Sequence, residues 1–311
     1  MTRFRIGARG SQLSLTQTGW LRAKLAAHLG VEASALELIP ITTSGDRIQD
    51  RLLIEAGGKG LFTKELDDAL LEGRIDFAVH SLKDLPTQLP DGVLLACVPE
   101  REDPRDAFIS NSADSLNVLP PGANVGTASL RRQAQTLYAR PDLGIVPLRG
   151  NVETRLRKID DGVADATFLA LAGLKRLGLD RHVRSLIDPN EAPPAACQGA
   201  LAVTARSGDA PVLASLAPLQ HTPTRAEIEA ERGFLEALDG SCRTPIGALA
   251  RYEDGWLSFI GETLTPDGTA RWRRTDRIQL GDDGFAAARA LGLRLGGEIK
   301  QEAGDAIIGE S

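Results

Sequence analysis

The chain has 311 residues, 42% hydrophobic, 25% charged and 4% aromatic, a globular composition that excludes collagen, coiled coil and wholesale disorder. Its 36 Lys and Arg against 42 Asp and Glu give a net charge of −6, which argues against a general nucleic-acid binder. No apolar run approaches the ~20 residues of a membrane span, and the opening residues lack the apolar stretch of a secretory signal, so a cytoplasmic protein of two or three domains is expected.

In chain order, residues 4–8 read as a strand. Residues 12–29 read as a helix, with Leu13, Gln17, Trp20, Leu21, Leu25 and Leu29 at helical spacing. Residues 36–42 form a second strand. Phe62, Leu66, Ala69 and Leu70 mark a helix closed at Gly73, and a third strand covers 75–80. This alternation predicts parallel βαβ units. The plan then recurs as a strand at 124–127, a helix at 130–139, a strand at 144–148, a helix ending at Gly162 and a strand at 165–171. Two echoes suggest a pair of similar lobes with a cleft between them. Ile6-Gly7-Ala8 with Ser11 resembles Val125-Gly126-Thr127 with Ser129, and Gly73-Arg74-Ile75-Asp76 resembles Gly162-Val163-Ala164-Asp165.

Residues 198–206 read as a strand returning to the first lobe. Pro193-Pro194 and the stretch 211–223 read as crossing segments. From 222 the pattern changes to a helix at 225–238, strands at 246–252, 256–261 and 270–279 with turn residues between them, and a last helix at 283–302. The expected division is therefore a first α/β lobe of 1–99 and 198–218, a second α/β lobe of 100–197, and a small α+β domain of 219–311.

Basic residues gather where strands turn into helices: Arg9 with Ser11, Lys83 after Ser81, Arg131 and Arg132 after Thr127 and Ser129, and Arg149 with Arg155. In open α/β sheets the ligand crevice lies beyond the carboxyl ends of the strands. Helix N-termini there favour anions, and Arg adds bidentate recognition of carboxylate or phosphate. Any one such arginine alone is a solvated helix-face residue; together they point to a ligand with several negative charges. Carboxylates and phosphates are not distinguished on this ground.

Asp84 lies beside Lys83 just past a strand. It is either a loop residue capping backbone N–H groups before Pro86, or a carboxylate that serves cationic intermediates and proton transfer. Gly57-Gly58-Lys59-Gly60 departs from the phosphate-loop pattern and reads as a mobile glycine-rich cover. Cys97, Cys197 and Cys242 are far apart and form no CxxC, and the four histidines show no ligand spacing, so no metal is expected. Cys242, beside Arg243 in a loop, is a nucleophile, an attachment point or an inert residue.

Taken together, these segments resemble the porphobilinogen deaminase (hydroxymethylbilane synthase) family. The runs that carry the resemblance include Gly57 to Phe62, Ala78 to Asp84, Arg101 to Ala107, Val125 to Gln133, Leu148 to Val152, Ala172 to Gly178, Gln198-Gly199-Ala200 and Gly240-Ser241-Cys242. The resemblance implies a monomeric transferase of two periplasmic-binding-protein-like lobes plus a C-terminal domain. Such an enzyme joins four porphobilinogen molecules head to tail into a linear tetrapyrrole, releasing ammonia each time. It implies a dipyrromethane cofactor held by Cys242 as a thioether, and Asp84 as the catalytic carboxylate facing a substrate-derived cation. Cofactor binding would fall to Ser81, Lys83, Thr127, Ser129, Arg131, Arg132 and Arg155. Substrate binding would fall to Arg9, Ser11, Arg149, Arg155, Arg176 and Gln198. Replacing Arg131 or Arg149 by Leu is then expected to impair assembly or elongation and leave the fold intact.

Gln12, Ser44 and Cys197 depart from the family's usual proline, basic residue and glycine. Two other classes fit the predicted architecture: a two-lobed binding module for a small polycarboxylate, and a transcriptional effector domain. The missing signal and the loop thiol weigh against the first. The charge and the lack of a helix-turn-helix weigh against the second.

Overall fold

The computed structural model describes residues 4–47, 61–239 and 244–307. The glycine-rich segment 57–60 and Cys242 lie outside the described residues. The first half of the chain runs β1 (Arg5–Arg9), α1 (Gln12–Leu29), β2 (Glu37–Ile41), α2 (Ser44–Arg47), α3 (Lys64–Leu71), β3 (Phe77–Ser81), β4 (Val93–Cys97), β5 (Asp106–Ser110), β6 (Asn124–Gly126) and α4 (Leu130–Ala139). It continues with β7 (Gly144–Val146), α5 (Val152–Asp160), β8 (Ala166–Ala170), α6 (Leu171–Leu177), β9 (Ser185–Leu186), β10 (Leu201–Arg206) and α7 (Ala210–Leu216). The last elements are α8 (Thr222–Ala237), β11 (Ile246–Glu253), β12 (Trp256–Leu264), β13 (Arg271–Gln279) and α9 (Gly284–Ala303). Two compact units result: Met1–Glu102 with Gly199–Arg225, and Asp103–Gln198 with Ala226–Ser311.

The first unit holds a five-stranded sheet in the order β2-β1-β3-β10-β4. In the second, a sheet ordered β7-β6-β8-β5-β9 accompanies an antiparallel β11-β12-β13 sheet. The two larger sheets share one topology. β1 runs parallel to β2 and β3, as β6 does to β7 and β8. The fourth strand is antiparallel in each, β10 against β3 and β4, β5 against β8 and β9. Wholly parallel units, the expectation from alternation, are thus corrected at one strand per sheet. A short apolar strand buried on both faces reads the same in either direction, so its periodicity carries no polarity.

The sequence echoes have a physical cause. Gly7 and Gly126 are centred where a neighbouring element crosses tightly. A Cβ on Gly7 would come within 2.3 Å of Ile75 Cδ1, and one on Gly126 within 3.0 Å of Ala164 Cβ. Asp76 and Asp165 repeat as well. Each carboxylate accepts the N–H that opens the neighbouring strand, from Arg5 and from Asn124, at 2.7 Å in both cases.

Helix boundaries follow the capping chemistry. Ser11 accepts from the Ser14 N–H to open α1, and Gly30 closes it at φ 65. Ser129 opens α4 and Asn151 opens α5 in the same manner. The stretch from 211 is helical where a linker was expected. Pro211 stands in the first turn of α7, where its missing N–H costs nothing. In the first lobe Phe4, Ile6, Leu21, Leu25, Phe77 and Val203 form the main core, and in the second Phe108, Val125, Leu143 and Phe168 do. Each fully buried side chain of this kind contributes about 1.5–3 kcal/mol. Among the described residues no helix is long and apolar enough to cross a membrane.

Candidate functional site

In the first lobe, β1 delivers Arg9 and the N-cap Ser11 to the same edge at which β3 delivers Ser81. A short 3-10 turn, Leu82–Asp84, follows. Leu82 is buried and its N–H donates to the Ala200 carbonyl at 3.0 Å, so the turn is pinned and Lys83 and Asp84 project outward. A small pocket of about 60 Å³ opens there, lined by Arg9, Ser11, Phe62, His80, Ser81 and Asp84 among others. Asp84 is 35% exposed and its Oδ2 lies 3.9 Å from Arg9 Nη1. The Ser81 hydroxyl donates to the buried Gln17 at 3.2 Å.

Two further groups shape this pocket and were missed from sequence. Asp46 accepts from Arg9 Nε at 3.2 Å and also from Arg9 Nη2. Burial pushes the Asp46 carboxyl up, but hydrogen bonds from Arg9 and Thr43 outweigh that and hold it below the usual carboxylate range. His80 is buried and shares a 3.0 Å hydrogen bond with Thr204. Burial, then the charge of Arg9, pushes its pKa down to about 4, so it is neutral at pH 7.

The second lobe gathers its predicted residues around a carboxylate. Arg131 and Arg132, in the first turn of α4, both reach Asp106 at the start of β5, with Nη2 atoms at 2.8 and 2.7 Å from its two oxygens. Gln198 donates to the same carboxylate at 2.9 Å and to the Pro104 carbonyl at 2.7 Å. Asp106 and Arg131 are each only 5% exposed. Burial alone would raise the Asp106 carboxyl, yet the two guanidinium charges hold it far below its ordinary range. Asp106 was missed as a functional residue because it opens an apolar strand. The signal available was a carboxylate in an otherwise buried pattern, Asp106-Ala107-Phe108-Ile109.

The remaining predicted residues fall on helix ends. Thr127 Oγ1 accepts from the Ser129 N–H at 3.1 Å, so both hydroxyls belong to the turn that opens α4. Arg155 Nε donates to the carbonyl of Gly150, the residue after Arg149, at 2.8 Å. Arg176 lies in the last turn of α6. Among the described residues, the Arg149 guanidinium makes no hydrogen bond or ion pair. Arg131 Nε and Arg132 Nε are buried donors without a partner. Two orphaned guanidinium donors and an unengaged third guanidinium suit a polycarboxylate group, so the residues present fit a cofactor or substrate of that kind. Among the described residues no cluster of His, Cys, Asp and Glu is arranged for a metal ion.

Comparison with known proteins agrees with this chemistry. The family profile described as "Porphobilinogen deaminase, dipyromethane cofactor binding domain" matches residues 4–214, and that described as "Porphobilinogen deaminase, C-terminal domain" matches 225–301. A porphobilinogen deaminase of Caulobacter vibrioides is 58% identical over 315 residues, covering 98% of this chain and 97% of the relative. One from Phenylobacterium zucineum is 57% identical over 313 residues, covering 98% of each. Among solved structures, a putative methionine-binding lipoprotein from Bacillus subtilis superposes with a TM-score of 0.43 at 14% identity, covering 71% of this chain and 91% of that one.

Proposed function

The chain belongs to the porphobilinogen deaminase family, and from that premise we propose how its residues divide the work of joining four porphobilinogen molecules into linear hydroxymethylbilane with release of ammonia. The reaction class is a transferase, the small-molecule substrate is porphobilinogen and the cofactor is dipyrromethane. When bound, that group supplies the pyrrole acceptor to which substrate rings are joined. Cys242 is the thiol that would hold it. Ser81, Lys83, Thr127, Ser129, Arg131, Arg132 and Arg155 would bind its carboxylates. Arg9, Ser11, Arg149, Arg155, Arg176 and Gln198 would hold the incoming substrate's acetate and propionate groups.

Asp84 carries the chemistry in this reading. Departure of ammonia leaves positive charge on the substrate pyrrole. A fixed carboxylate stabilises that charge as it develops, accepts pyrrole N–H hydrogen bonds and moves protons. The observation that supports this role is position: Asp84 is partly exposed at the pocket, with the Arg9 guanidinium 3.9 Å away. A ring whose carboxylate engages Arg9 is thereby laid against Asp84 in reacting register. We extend the same reading to a cytoplasmic monomer, and to three domains: 1–99 with 198–218, 100–197, and 219–311.

Intact-protein mass with and without porphobilinogen tests it. The expected result is a purified protein heavier than its sequence by one dipyrromethane, which gains further mass with substrate. Cys242→Ser should lose both gains, while Cys97→Ser and Cys197→Ser keep them. A protein of plain sequence mass that substrate leaves unchanged contradicts the reading.

A further inference from the structure

Arg9 is held on two sides before any ligand arrives. Asp46 takes its Nε and Nη2, and Phe62 covers its face with the guanidinium carbon 4.1 Å from the ring centroid. Asp46 is itself fixed by the Thr43 N–H at 3.2 Å and the Thr43 hydroxyl at 2.7 Å, with Thr43 fully buried. Gly45, between them, leaves room for Phe62, since a Cβ there would come within 2.3 Å of the ring. The Gly45 N–H also donates to the Leu61 carbonyl at 2.7 Å. One short turn, 43–46, therefore sets both the carboxylate on the edge of Arg9 and the ring on its face. The edge left over carries Nη1, which faces Asp84.

We propose that Asp46 is a positioning residue for substrate recognition: it occupies the Nε–Nη2 edge of Arg9 so that the Nη1 side alone is presented to a substrate carboxylate next to Asp84. A guanidinium has five donors in a rigid fork, and holding one edge decides where the other points. Without that hold, Arg9 samples many rotamers, and each binding event must order it afresh. Asp46 touches neither substrate nor cofactor in this scheme and acts through Arg9. The proposal rests on the reading of Arg9 as a substrate ligand.

The test is steady-state kinetics with porphobilinogen on cofactor-loaded protein, for Asp46→Asn, Asp46→Glu, Arg9→Leu and the Asp46→Asn/Arg9→Leu pair, with thermal melts to check folding. Arg9→Leu should raise KM, which tests the premise by itself. Asp46→Asn should raise KM about tenfold with kcat held within about threefold, and Asp46→Glu should recover most of the loss. In the Arg9→Leu background Asp46→Asn should change KM by less than about twofold, because the two act as one unit. If Arg9→Leu fails to fold, Arg9→Lys takes its place, keeping the charge without the fork. A raised KM in the Arg9 variant with an unchanged KM in Asp46→Asn overturns the proposal. So do effects that add in the pair, or a loss confined to kcat. An unchanged KM in the Arg9 variant contradicts the reading of Arg9 instead.

Discussion

In the first lobe the arginine that ends the opening strand, Arg9, keeps 23% of its side chain exposed and divides it between Asp46 and a pocket that also holds Asp84. In the second lobe the corresponding turn, again opened by a serine cap, sends Arg131 and Arg132 inward onto Asp106, and all three are nearly buried. The same strand–serine–helix recipe thus yields one lobe with an accessible carboxylate and one with a carboxylate locked under two guanidinium groups. Burial decides which carboxylate stays open to solvent. Asp106 has spent its lone pairs on Arg131, Arg132 and Gln198, so it holds other groups in place, while Asp84 meets the pocket.

The sharpest way to break this contrast is to remove charge at the buried centre. Asp106→Asn leaves two adjacent guanidinium groups in low dielectric without their counter-ion, and should cost about 3–5 kcal/mol of stability. Urea unfolding of the variant measures it, and a loss under about 1 kcal/mol would mean the cluster is better hydrated than its burial implies. Arg131→Leu should also destabilise, against the sequence-based expectation that it would spare the fold. Arg149→Leu should leave stability unchanged, since that guanidinium has no partner among the described residues.

A smaller effect comes from His80, the buried titratable group beside the first-lobe pocket. Its pKa is pushed down to about 4 from an ordinary 6.5, so between those values the unfolded chain takes up a proton that the folded chain refuses. Stability from this group is whole above pH 6.5 and is lost as pH falls toward 4, amounting to about 2 kcal/mol between pH 7 and pH 5. Asp67, beside Asp68, works in the opposite sense. Burial raises it to about 6, so its contribution falls as pH rises through that range. The measurement is therefore a difference: denaturant midpoints of the wild type and His80→Gln at both pH values, with the variant showing the shallower acid loss. Equal slopes would place a charged imidazole in the fold.

The smallest effect concerns the segment that aims Gln198 at Asp106. Cys197 has φ 64, in the left-handed region, and its N–H donates to the buried Glu231. A non-glycine residue there costs about 1–2 kcal/mol, which a buried thiol partly offsets. Cys197→Gly should accordingly stay within about 1 kcal/mol of the wild type, while Cys197→Val should lose more, the β-branch being worst suited to that backbone. Thermal melts of the two variants separate strain from packing.

Much of the architecture was legible because it depends on short-range chemistry. Ser11 and Ser129 stand where strands turn into helices, Gly73 and Gly162 follow helix ends, and the repeated glycine and aspartate of each lobe reflect repeated close contacts. The strand β5 and the helix at Pro211 were not read from sequence, since only three apolar residues lie between Asp106 and Ser110 and a proline opens helices as well as linkers. The site was half legible. Arg9, Ser11, Ser81 and Asp84 do meet in one pocket, and Arg131, Arg132 and Gln198 do meet each other. Their partners Asp46 and Asp106 were overlooked, because a salt bridge joins residues 37 or 25 positions apart and leaves no periodic trace.

The contrast between the lobes is tested most directly by single-turnover kinetics of cofactor-loaded Asp84→Asn and Asp84→Glu, with circular dichroism and thermal melts alongside. Opposite charges ~4 Å apart attract by about 4 kcal/mol at an effective dielectric near 20, so loss of the charge should slow the step roughly a thousandfold. Asp84→Asn should fold as the wild type does and be almost inactive, with Asp84→Glu retaining measurable turnover. Asn and Glu variants that turn over alike, or an Asp84→Asn protein that unfolds, would contradict this and make Asp84 a structural residue like Asp106.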